Sequence, residues 1–105
     1  MPSAICLIER LRKQLPLVRG GNEWESGNWD IAEKKAEALV GSRIYFHQKQ
    51  AEPSYFGGTI TAYRVLPVDH PQTPGRIVFT FVRDAQGRGF TAGSTGWRNE
   101  QKTIP

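Results

Sequence analysis

The sequence is poor in the residues that build metal sites, disulfides and redox centres: one cysteine, one methionine and two histidines in 105 residues. The lone Cys6 excludes an intramolecular disulfide and any cysteine-cluster metal site. His47 and His70 stand 23 positions apart with no spaced carboxylate motif, so neither a structural zinc nor any other cofactor is expected. No apolar run approaches the roughly 20 residues needed to cross a bilayer, so no membrane partner is expected. Glu9, Arg10, Arg12 and Lys13 break the apolar part of Ser3–Leu15, which argues against a secretory leader. That stretch is Arg-rich and amphipathic like a transit peptide, but Glu9 and its shortage of serine oppose that reading. A reducing, cytoplasmic location is the expectation. The sequence also has no G-x-x-x-x-G-K-[ST] loop, no G-x-S-x-G elbow and no paired-histidine metal motif. Gly87-Arg88-Gly89 and Gly93-Ser94-Thr95-Gly96 are glycine-rich but lack the strand-to-helix setting of a phosphate loop.

At this length one domain, residues 1–105, is expected. The net charge of +4 is unevenly spread. Residues 1–21 carry Arg10, Arg12, Lys13 and Arg19 against Glu9. Residues 22–41 set Glu23, Glu25, Asp30, Glu33 and Glu37 against Lys34 and Lys35, and are the one acidic segment. The remaining residues, which hold the predicted strands, are basic, and that bias favours a polyanionic partner.

Ser3 can cap a helix from Ala4 to about Leu15, where Ala4, Ile8, Leu11 and Leu15 recur at helical spacing before Pro16 stops it. Arg19-Gly20-Gly21-Asn22 reads as a flexible connection and residues 22–29 as a loop holding Trp24 and Trp29. A second helix is expected from Asp30 to Val40, capped by Asn28 or Asp30 and ended by Gly41, with Ala32, Ala36, Leu39 and Val40 as its packing face. Strands are expected at Arg43–Lys49, Thr59–Val65 and Arg76–Arg83, the last apolar on both faces and therefore central. Leu66–Gly75, with three prolines, reads as a loop. Arg88–Thr91 reads as a short fourth strand, and Trp97 as an anchor for the polar tail. The fold class is α+β: a small, curled, mainly antiparallel sheet or partial β-barrel with two flanking helices.

The stretch Gly41–Val65 concentrates the chemistry, with all three tyrosines and one histidine. Period-two alternation buries Ile44 and Phe46 and sets Tyr45, His47 and Lys49 together on an exposed face. The tip Pro53–Gly58 lies beside it, its double glycine suited to positive φ or to close approach of another backbone. A tryptophan, a short helix, then Ser42-Arg43-Ile44-Tyr45-Phe46-His47 and Gly57-Gly58-Thr59-Ile60-Thr61-Ala62-Tyr63-Arg64-Val65 together resemble the PUA-like superfamily, with its EVE and ASCH branches closest. Gln48 stands where the EVE pattern usually has a small hydroxyl residue.

The resemblance implies a small β-barrel and a nucleic-acid partner, RNA or modified DNA, with a modified or flipped base held in an aromatic pocket. Trp24, Trp29, Tyr45, Tyr55, Phe56 and Trp97 are the candidate stacking residues. His47, Gln48 and Ser54 are candidates for the base edge, and Arg43, Lys49 and Arg64 for phosphates. A non-catalytic binding module is the first reading. An ASCH-like amidohydrolase using Lys49, Ser54 or Thr59, and Glu52 is the second. A protein-interaction or accessory subunit, such as a homodimer joined through Ala4–Leu15 or the third strand, is another.

Overall fold

The computed structural model of the protein describes residues 3–8, 15–16, 23–69, 74–93, 95–98 and 101–104. Its first element is a strand, β1 (Ala4–Ile8), not a helix. All five residues are buried, Ile5, Cys6 and Leu7 completely. An apolar run of this length fits a strand covered on both faces as well as it fits a helix, and β-branched Ile5 and Ile8 favour the strand. Leu15–Pro16 form a two-residue strand, β2, so the expected first helix is corrected at both of its ends. Residues 9–14, the connection at 19–22 and His70 lie outside the described residues.

The expected tryptophan loop is also a strand, β3 (Glu23–Trp29). Its register shifts between Ser26 and Trp29, where Gly27 lies so close to Val78 that a Cβ would come within 2.7 Å of Cγ2. The one helix among the described residues, α1 (Glu33–Leu39), buries Ala36 and Leu39. Its cap is Ala32 with no side-chain hydrogen bond, so neither Asn28 nor Asp30 fills that role. Gly41 follows at φ +91°, where its N–H reaches Ile60 O at 2.8 Å.

Three further strands fall near their expected places: β4 (Arg43–His47), β5 (Phe56–Val65) and β6 (Ile77–Arg83). The double glycine lies inside β5 rather than in a turn. Around Arg88 there is a single bridge to Tyr55 in place of the expected fourth strand. The tail supplies β7 (Gln101–Ile104) instead. The sheet runs β2-β3-β6-β5-β4-β1-β7, with β1 and β4 parallel and every other pair antiparallel. It is mixed, mainly antiparallel and not closed into a barrel, and among the described residues one helix accompanies it rather than the expected two. Of the two segments expected to serve as dimer contacts, the helix Ala4–Leu15 and the third strand, the first begins as β1 and the second is β6, and both strands have a neighbour on each side in the sheet.

Two apolar layers form. Ile5, Leu7, Ile44, Phe46, Ile60, Ile77, Phe79 and Phe81 make the main core with Ala36 and Leu39 of α1. Ala4, Cys6 and Tyr45 make the second, on the opposite face of β1 and β4, beneath Phe90, Ala92, Trp97 and Ile104. Residues 84–93 and 95–98 therefore act as a strap across that face. The strap begins at a 3-10 turn (Ala85–Gly87) pressed on β5, where Gly57 and Gly87 meet backbone to backbone. Close approach, not positive φ, is the use of the glycine at 57.

Candidate nucleic-acid interface

The strap decides the fate of the face on which Tyr45 and His47 were expected to be exposed. Tyr45 is 8% exposed and His47 is completely buried, so that expectation is corrected. The Tyr45 ring stacks on Phe90 with centroids 4.1 Å apart. The His47 ring meets Trp97 edge-on at 5.5 Å, and Trp97 Nε1 donates to Gly93 O at 2.8 Å, closing the strap on itself. Trp97 thus anchors the tail over the histidine. Burial pushes the His47 pKa down from its ordinary value, partly offset by the hydrogen bond between Nδ1 and Glu52 O at 2.9 Å. That bond fixes the neutral tautomer with the proton on Nδ1, and Nε2 is left buried without a partner among the described residues. Below it, burial raises the Cys6 thiol to about 11, which keeps it protonated and unreactive.

Other expected ligand groups are committed within the protein. Ser54 Oγ donates to Gly87 O at 2.7 Å and accepts from Phe90 N at 3.0 Å, so this buried hydroxyl holds the strap down. Arg43 clamps Asp84 with two nitrogens at 2.6 and 2.8 Å and also donates to Thr59 Oγ1 at 3.0 Å. The Arg43 bond holds the Asp84 carboxyl below the usual carboxylate range, and Asp84 raises the Arg43 pKa in return. Arg64 pairs with Glu25 at 3.1 Å, and Trp29 Nε1 donates to Ser26 Oγ at 3.1 Å. Of the expected site residues Arg43 and Tyr45 do meet, with the guanidinium 5.5 Å from the ring centroid.

Tyr55 and Phe56 belong to a different surface. The loop after β4 returns into β5 at one end of the sheet, where β6 ends and β3 begins. Phe56 is partly exposed there, with Trp24 edge-on at 5.2 Å and the Arg83 guanidinium 5.8 Å above its ring. Tyr55 is partly exposed beside it and bridges Arg88. Trp24 Nε1 is buried and has no hydrogen-bond partner among the described residues. Arg83, Arg88 and Lys49 are exposed. Three half-open rings with Arg83 and Arg88 thus lie at one end of the open sheet, its mouth, and Lys49 stands in the loop that leads into it. The sequence singled out Trp24, Tyr55, Phe56 and Lys49 but not Arg83 or Arg88. Arg83 reaches Phe56 because Gly58 pairs with Arg83 across the ladder, a register that local pattern does not reveal.

Of the residues named for an amidohydrolase, Lys49 and Glu52 are exposed, the Ser54 hydroxyl is spent on the strap, and Thr59 is held by Arg43. Among the described residues no helix is long and apolar enough to cross a membrane. No family model, no curated protein and no solved structure matches the chain.

Proposed function

We propose that the chain is a non-catalytic module that binds single-stranded nucleic acid at the Trp24–Tyr55–Phe56 mouth. The observation that carries this reading is the Arg83 guanidinium poised over the half-exposed Phe56 ring beside Trp24. A half-exposed ring beside a guanidinium offers a base a stacking contact worth roughly 1–3 kcal/mol. Arg83, Arg88 and Lys49, all exposed, supply positive charge for phosphate contacts. The PUA-like resemblance belongs to the same proposal, with one change. The interior seat at Tyr45 and His47 is filled by Phe90 and Trp97, so the rim of the sheet is the better place for a base.

The test is a titration of short single-stranded RNA and DNA at about 50 and about 200 mM salt, with wild type, R83Q and F56L. Leucine keeps apolar volume at position 56 and removes the ring. Binding is expected to weaken with salt for all three. R83Q is expected to lower the salt slope by about one. F56L is expected to weaken binding about tenfold at either salt. Equal affinity of F56L and wild type for every oligonucleotide would sink the proposal.

A further inference from the structure

A second concavity lies away from the mouth, at the β7 edge of the sheet. It has a volume of about 330 Å3 and is lined by Asp30, Lys35, Gly96, Arg98, Gln101 and Thr103. Its construction follows from the strands. Gln101 and Thr103 are two apart on β7 and share a face. Gln101 Nε2 donates to the Asp30 backbone carbonyl at 3.3 Å, which ties β7 to the residues leading into α1. Paired backbone bonds between Arg98 and Gln101, at 2.7 and 2.9 Å, hold Arg98 at the rim. Lys35 projects from α1, and neither Lys35 nor Arg98 forms an ion pair among the described residues.

We propose that this groove binds a small phosphate monoester with a hydroxylated body, that is, a sugar phosphate. The planar fork of Arg98 and the point charge of Lys35 suit a phosphate dianion. The Asp30 carboxylate only accepts hydrogen bonds, so the rest of the ligand must donate, as vicinal hydroxyls do. Gln101 and Thr103 complete a polar wall. Among the described residues no aromatic or aliphatic side chain lines the groove, so its lining favours a polar ligand body over an apolar one. The volume sits at the small end of ligand pockets, about 300–1,000 Å3. The groove and the mouth share no residue, so this proposal stands or falls separately from nucleic-acid binding.

Calorimetric titration with ribose 5-phosphate, inorganic phosphate and ribose decides it, on wild type, K35Q, R98Q, D30N and the mouth variant R83Q. Every substituted side chain is exposed, so the fold is retained. Ribose 5-phosphate is expected to bind at least about tenfold more tightly than phosphate or ribose alone, a gap of about 1.4 kcal/mol. K35Q and R98Q are each expected to weaken it about tenfold or more. D30N is expected to weaken ribose 5-phosphate but not phosphate, and R83Q to change neither. Equal binding of ribose 5-phosphate and phosphate overturns the proposal, as does binding unchanged in K35Q and R98Q.

Discussion

Tyr45 and Phe90 lie face to face, 7° from parallel, although one sits mid-strand and the other in an irregular segment 45 positions later. Their stack joins the strap to the sheet. Aromatic pairs contribute about 0.5–1.5 kcal/mol beyond the area they bury. A double-mutant cycle of Y45A and F90A, followed by urea unfolding, is expected to give a coupling of about 1 kcal/mol. Additivity would mean that the stack adds nothing to the other contacts that hold the strap.

His47 makes stability depend on pH. Its pKa is lowered in the fold, so below the ordinary value of about 6.5 the unfolded chain binds the proton more readily. Its contribution is complete above about pH 6.5 and is lost as pH falls toward the folded value. The loss cannot exceed about 1.4 kcal/mol per pH unit for one proton. Asp84, also lowered, acts only below the carboxylate range near about 4, so the two windows separate. Urea midpoints measured from about pH 7.5 to about pH 5 are expected to decline in wild type and to stay flat in H47F. A parallel decline in H47F would assign the effect to another group.

Gly57 allows no side chain. A Cβ there would press into Ile44 O and stand 3.2 Å from Gly87 Cα, and backbone cannot swing aside. G57A is expected to cost about 1–3 kcal/mol by overpacking and to lift the 3-10 turn off β5. The readout is the unfolding midpoint together with hydrogen exchange at the Asp84 amide, which donates to Gly57 O at 3.2 Å. An unchanged midpoint would contradict this packing.

The Arg43–Asp84 clamp anchors the start of the strap. It is partly exposed, with side chains 24% and 39% accessible, so its contribution is screened. D84N is expected to lower stability by about 1 kcal/mol, and the deficit is expected to shrink in high salt. A deficit that persists in high salt would point to hydrogen-bond geometry rather than charge.

Much of the central sheet was legible because its signals are local. Ile44 and Phe46, and the run Ile77–Val82, carry strand patterns that need no partner to be read. Ala36 and Leu39 mark the packed face of α1 in the same way. The run Ala4–Ile8 satisfied two periods at once, and only its neighbours β4 and β7 settle it as a strand. Glu23–Trp29 is poor in strand formers and takes its shape from pairing with β6. The site was misplaced for a related reason. Alternation says which residues of β4 share a face but not what covers that face, and Phe90 and Trp97 come from a stretch with no periodicity.

Ala4 pairs with Ile104, and β1 sits between β4 and β7. Such distant pairing gives the molecule a high contact order, and loop-closure entropy delays the contacts that complete it. A chain emerging from the ribosome therefore presents β4 with one face wet, and β1 with a bare edge, until residues 85–104 arrive. The least regular part of the protein closes its assembly, and until then the sheet offers a hydrogen-bonding template to any neighbouring chain.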